Sequence, residues 1–202
     1  MARGLDDLDK AISLRDVLLS SRATFQVLPG FRENDPESQN RVYAGLDCDE
    51  VYENIFIGDE STAKNKKYLK RIGITHVVNA AQGQIIGQVN TSAEFYSDIG
   101  IKYKGITLSD FSVSDASEYF KEVADFMDDA IGSNGKVFVH CMMGKSRSAV
   151  FVLAYLMLKR GHTASEAISI VRQRRNIHPN EGFLYQLAVL DNKLRRKYLI
   201  FD

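Results

Sequence analysis

Apolar positions in this chain change their spacing at regular intervals, and the changes mark out its elements. Between residues 5 and 19, Leu5, Leu8, Ile12, Val17 and Leu18 recur among charges, which predicts an amphipathic helix. Residues 29–41 hold Pro29, Gly30, Asn34, Asp35, Pro36 and Ser38 and predict a loop or linker. From about residue 46 strand and helix patterns alternate. Residues 54–58 predict a strand, 61–72 a helix ending near Gly73, 74–79 a buried strand and 103–108 another short strand. In 117–131, Tyr119, Phe120, Val123, Phe126, Met127 and Ile131 share one helix face. Residues 136–140 predict a buried strand and 149–158 a helix, with Gly161 as its stop. Thr163 and Glu166 have the spacing of a capping box for the next helix. Pro179-Asn180 punctuates, and 181–197 predicts a last helix with the stripe Leu184, Leu187, Leu190 and Leu194. This alternation predicts an α/β fold, a central, mostly parallel sheet of about five strands flanked by helices.

The chemistry concentrates between the strand at 136–140 and the helix at 149–158. The chain there reads His140-Cys141-Met142-Met143-Gly144-Lys145-Ser146-Arg147-Ser148. A cysteine on a strand-to-helix loop lies where backbone N–H groups converge and the helix dipole favours an anion. Both effects lower a thiol's pKa and favour a reactive thiolate. The N–H groups of Met142, Met143, Gly144, Lys145, Ser146 and Arg147 can hold phosphate oxygens as a backbone nest does. Arg147 adds a planar fork that grips two oxygens at once. A thiolate under a phosphate cradle is suited to phosphoryl removal through a phosphocysteine. The departing oxygen needs a proton. Asp110 follows the strand at 103–108, and strand ends in such a sheet gather on one edge, toward Cys141. On the residues alone Asp110 reads first as a turn aspartate, and Asp115 in the same loop is better suited to opening the next helix. The four histidines, His76, His140, His162 and His178, lack metal-ligand spacing.

The run at 140–148 resembles the H-C-x5-R-S signature of the cysteine-dependent protein phosphatases, and its Ser-Arg-Ser ending resembles the dual-specificity branch. From about Asp49 to Leu194 the chain is similar to the small, atypical dual-specificity members of the protein tyrosine phosphatase superfamily. The segments Gly73-Ile74-Thr75-His76-Val77-Val78-Asn79-Ala80-Ala81, Ala154-Tyr155-Leu156-Met157 and Pro179-Asn180-Glu181-Gly182-Phe183-Leu184 carry the likeness. The resemblance implies Cys141 as nucleophile, Arg147 as phosphate clamp and Asp110 as general acid and then base. It implies Ser148 as the hydroxyl that helps sulfur leave, and His140 behind the loop, tuning the thiolate. No metal or cofactor is implied. Arg175 falls where some small members hold a second phosphate, which would suit a doubly phosphorylated kinase activation loop. The plainer reading makes Arg172, Arg174 and Arg175 a solvated helix end. Without tryptophan there is no Trp-Pro-Asp acid loop of the tyrosine-only enzymes. The resemblance thus implies a shallow pocket for phosphotyrosine and phosphoserine or phosphothreonine. Met142 and Met143 stand where many relatives are polar, which makes the rim more apolar. The likeness divides the chain into a helical and linker extension, 1–45, and a catalytic domain, 46–202, with the 5–19 helix set against it. Other readings stay open: a catalytically weak phosphate-binding or scaffold module, or a phosphatase of phosphoinositides or RNA 5′ ends.

Composition narrows the partners. The 202 residues are 45% hydrophobic, enough for one domain with a sizeable core. Lys+Arg and Asp+Glu are both 26, so no global charge points to nucleic acid or an anionic membrane surface. The first residues lack an apolar signal core and Ala2 is not a myristoylation glycine. Two cysteines, Cys48 and Cys141, make no disulfide framework, and a working Cys141 must be reduced. The expected partner is a phosphorylated protein, and the expected setting is the cytoplasm, the nucleus or both.

Overall fold

Four parallel strands end on one level of the sheet, and the site grows from that edge. The computed structural model describes residues 2–198; Met1 and residues 199–202, the end of the expected catalytic domain, lie outside it. The strands are β1 (Cys48–Tyr52), β2 (Ile55–Gly58), β3 (His76–Asn79), β4 (Lys102–Gly105) and β5 (Val137–His140). The helices are α1 (Ala2–Ser20), α2 (Pro36–Gln39), α3 (Arg41–Ala44), α4 (Glu60–Lys64), α5 (Lys66–Arg71), α6 (Ala93–Tyr96), α7 (Phe120–Gly132), α8 (Arg147–Arg160), α9 (Ala164–Arg174) and α10 (Glu181–Tyr198). The sheet order is β1-β2-β5-β3-β4, with β1 antiparallel to β2 and every other pairing parallel. Register places Gly58, His140, Asn79 and Gly105 side by side as the last residues of the parallel strands. The last strand in sequence, β5, is thus central in space, and Cys141 leaves from the middle of the carboxyl edge.

Alternation along the strands sorts side chains to two faces. Ile55, Ile57, Val78, Val137 and Val139 join the larger core, shared with α1 and α7 to α10. Phe56, Val77 and Phe138 join the smaller core, with Tyr68 and Leu69 of α5 and Tyr96 of α6. Residues Arg147 to Met157 of α8 are all buried, because this helix has neighbours on every side. Gly161 in the left-handed conformation ends it, and Thr163 with Glu166 forms the expected capping box of α9.

Some elements differ from their sequence expectations, each for a local reason. The helix over 61–72 is two short helices, because Asn65 ends one and its side chain caps Tyr68 N–H of the next. The loop over 29–41 holds α2 and the start of α3. The strand over 103–108 stops at Gly105, although Ile106 still donates to Asn79 O and accepts from Gln82 N–H. β1 has no apolar alternation in the sequence, because its buried Asp49 is held by Arg41 and Arg175 rather than by apolar packing. Cys48 lies in the smaller core and Cys141 in the larger, and both are free thiols. Among the described residues no helix is long and apolar enough to cross a membrane.

The N-terminal helix is part of the packed structure. Leu14 and Leu18 of α1 are buried in the larger core. Lys10 pairs with the buried Asp191 of α10, Asn192 donates to Asp7 (2.7 Å), and Arg172 of α9 donates to Leu18 O (3.2 Å). Leu14→Ala is therefore expected to destabilise the whole protein by about 2–5 kcal/mol, as for other buried leucines. A denaturant titration checks this; a change below about 0.5 kcal/mol, the range of surface substitutions, would mean that α1 is not docked in solution.

Candidate active site

The loop from Cys141 to Ser146 joins the end of β5 to the start of α8, and its carbonyls are tied outward one after another. Met142 O accepts from Glu60 N–H (3.1 Å) at the start of α4. Met143 O and Gly144 O accept from Arg175 Nη2 (3.2 Å) and Nε (2.7 Å). Lys145 O accepts from His178 N–H (2.7 Å), and Ser146 O takes the first helical bond of α8 from Val150 N–H (3.0 Å). A trans peptide is planar, so a carbonyl held outward turns the following N–H the opposite way. The N–H groups of Met143, Gly144, Lys145 and Ser146 accordingly face the inside of the loop. Gly144 makes the turn possible. Its φ is +63°, and a Cβ there would come within 2.4 Å of Gly58 O and 2.6 Å of Arg175 Nη2.

Cys141 forms the floor, only 2% exposed. Burial alone would push its thiol up. The Ser148 hydroxyl (Sγ···Oγ 3.4 Å), the Ser148 N–H, the Arg147 charge and the Lys145 N–H outweigh that and hold the thiol below its ordinary value. His140 points to the opposite face, where its ring stacks on Phe138 at 5.6 Å. Burial lowers its pKa to about 3, so the ring is neutral, and Nδ1, facing Cys141 O at 3.4 Å, carries the proton.

Arg147 is buried beside the cysteine. Its Nη1 donates to Gly87 O (2.8 Å) and Leu108 O (3.3 Å), while its buried Nε has no hydrogen-bond partner among the described residues. That Nε faces Asp110 Oδ2 at 3.6 Å. Asp110 Oδ1 accepts from Ser146 Oγ (2.6 Å) and Asn180 Nδ2 (2.9 Å). Asp115 instead caps its own turn, accepting from Ser117 N–H (2.8 Å). The fold thus gathers Cys141, Arg147, Ser148, Asp110 and the loop N–H groups, with His140 behind. Among the described residues no cluster of His, Cys, Asp and Glu could hold a metal.

Arg175 requires a correction. It is neither a solvated helix end nor open to a second phosphate. It is 4% exposed, and its five N–H donors are consumed by five hydrogen bonds: Met143 O, Gly144 O, Asp49 Oδ2 (2.8 Å) and two to Asp47 (2.8 and 2.7 Å). Burial acts to weaken its hold on the proton, but the two aspartates more than restore it. The sequence reading also missed Asn180, Asp47, Asp49 and the Gly87 carbonyl. Asn180 carries one legible signal, its place as a capping residue before α10, where its Oδ1 accepts from Phe183 N–H (3.0 Å).

A buried cysteine with a lowered thiol pKa at the floor of an anion cradle, at the carboxyl edge of a parallel sheet, is the arrangement of the cysteine-dependent phosphatases. The family model of the dual specificity phosphatase catalytic domain matches residues 55–193. The chain is 49% identical over 150 residues to human dual specificity protein phosphatase 13B, covering 74% of this chain and 75% of the relative. It is 40% identical over 184 residues to human dual specificity protein phosphatase 26, covering 87% and 85%. Human DUSP28 has a similar structure (TM-score 0.64, 27% identity, 75% of this chain and 95% of that one). So has a mouse putative dual specificity phosphatase solved with zinc tungstate (TM-score 0.66, 27% identity, 83% and 95%). The chain belongs to the dual specificity phosphatase family and is a cysteine-dependent protein phosphatase acting on phosphorylated proteins.

Arg175→Gln is expected to cost about 3–5 kcal/mol of stability, the usual consequence of stripping a buried charge of its partner. It is also expected to move the pH midpoint of Cys141 alkylation upward as the loop N–H groups relax. An unchanged midpoint in folded variant would show that the loop holds its shape without the clamp. His140 gives a second test. Unfolded, its ring takes a proton near pH 6.5; folded, it refuses one until about pH 3, so stability falls with pH through that window. His140→Gln is expected to flatten this fall, measured as urea midpoints at pH 7 and pH 5, and an equal slope in both proteins would contradict it.

Proposed function

We propose that Cys141 is the nucleophile of a two-step phosphate hydrolysis carried out without metal or cofactor. The phosphate sits on the loop N–H groups and the Arg147 guanidinium. The thiolate attacks phosphorus, the S–P bond forms, and the P–O bond to the tyrosine, serine or threonine oxygen breaks. Asp110 gives that oxygen its proton. Water then attacks the phosphocysteine with Asp110 as base, inorganic phosphate leaves, and Ser148 supports the departing sulfur. The observation that carries this reading is the Cys141 sulfur 3.4 Å from the Ser148 hydroxyl at the base of the loop, with the buried Arg147 beside it and Asp110 3.6 Å from that arginine at the rim.

The substrate is a phosphorylated protein presenting one phosphate at a time. The case for a doubly phosphorylated activation loop rested on Arg175, whose donors are already occupied. The need to keep Cys141 reduced supports action in the cytoplasm or nucleus.

Hydrolysis of a small aryl phosphate tests the mechanism. Cys141→Ser is expected to abolish turnover, and Asp110→Asn to lower kcat by about 10²–10⁴-fold, the usual range for losing a general acid. Arg147→Lys is expected to lose most activity, since an ammonium cannot grip two oxygens. Turnover that survives Cys141→Ser would exclude the phosphocysteine route.

A further inference from the structure

Three loops bordering the site expose apolar side chains, and each loop is fastened to the phosphate machinery. The loop at 82–89 is closed by the Gln82–Val89 bridge and by Gln88 N–H on Ile85 O (3.0 Å). Its Gly87 carbonyl receives Arg147, so the loop that carries Ile85 and Ile86 is tied to the site at the residue after Ile86. Both are exposed, Ile86 at 103%. The loop after Asp110 exposes Phe111 and Val113, the latter at 94%. It is fixed from behind: Gln186 of α10 donates to Ser114 O (2.8 Å) and accepts from Ala116 N–H (2.9 Å). The cradle loop itself exposes Met143. Five large apolar side chains from three loops therefore stand in water around a recessed thiol. These loops are nearly uncharged. Residues 82–90 have no charged side chain, 105–114 only Asp110, and 141–146 only Lys145.

Monomeric proteins rarely hold such side chains together in water without a binding role. The occupant follows from the chemistry below. A phosphorylated residue reaching Cys141 must bring its neighbours down onto this rim. We propose that the rim selects phosphorylated protein segments whose residues flanking the phosphoresidue are apolar, and disfavours acidic flanks. This rests on the phosphatase reading above. An anionic membrane surface would need several exposed cations, and Lys145 alone serves on these loops.

The test compares two phosphotyrosine peptides, one flanked by leucine and valine, the other by glutamate. The protein is used intact and as Ile86→Ser/Val113→Ser, at positions too exposed to support the fold. The apolar peptide is expected to have about tenfold higher kcat/KM, and the double variant to lose about fivefold of that preference, in line with small apolar contacts. Hydrolysis of the aryl phosphate should be unchanged. Peptide affinity for Cys141→Ser, which keeps the cradle, reads the same preference without turnover, so failed catalysis and failed selection separate. Equal or faster hydrolysis of the acidic peptide, an unaltered preference in the variant, or faster hydrolysis of phosphoinositide in phosphatidylcholine vesicles would overturn the proposal. So would sedimentation showing a dimer that the double variant disperses while both peptide constants stay the same.

Discussion

A loop that binds a dianion through its backbone must turn several consecutive N–H groups toward one point, and nothing local forces it to. A short peptide would satisfy those groups with water or with turns. Here the constraint is applied from outside, through the carbonyls. Glu60 N–H, the Arg175 guanidinium and His178 N–H hold four successive carbonyls away from the sulfur. Planar peptides do the rest. Arg175 is decisive because one side chain fixes two of those carbonyls while Asp47 and Asp49 fix the side chain. A buried ion pair is a weak source of net stability, since desolvation offsets its Coulomb gain. The worth of this one is geometric.

The clamp also explains why the region before the sheet bears on the chemistry. Asp49 is shared between Arg175 and Arg41 (2.7 Å to the latter), and Arg41 donates to Gln26 O (2.5 Å). A continuous set of charge-assisted bonds thus runs from the N-terminal segment through β1 and Arg175 to Gly144. Loosening residues 26–49 would be felt at the cradle through Arg175. The edge strand β1 keeps polar residues for this reason.

Electrostatics at the cysteine are a contest with a clear winner. Desolvation disfavours a thiolate, and it is the largest single influence on Cys141. The hydrogen bonds and the arginine overcome it because they are already aimed, so no reorganisation is needed when charge develops. At Cys48 the Arg175 charge is also felt, but burial prevails and the thiol is raised. The two cysteines, one in β1 and one just past β5, therefore differ in character, and the difference is the cradle.

Much of this was legible in the chain. Helical stripes, the capping box at Thr163 and Glu166, and the strand before Cys141 are local signals, and each appears where periodicity put it. The cradle motif was legible too, because a nest is written in consecutive residues. Asp110 could be named only through the family likeness, since its contact with Ser146 spans 36 positions. β1 shows no apolar alternation because its buried Asp49 is satisfied by Arg41 and the distant Arg175, and Arg175 itself resembles a solvated helix end until its partners are known. The sequence by itself determined most of the elements, the thiol and the anion-binding loop, all products of short-range order. Tertiary structure decided which carboxylate faces the thiol, where five arginine donors go and which apolar residues stand at the mouth. Those outcomes depend on distances between residues far apart in the chain, and no local pattern encodes them.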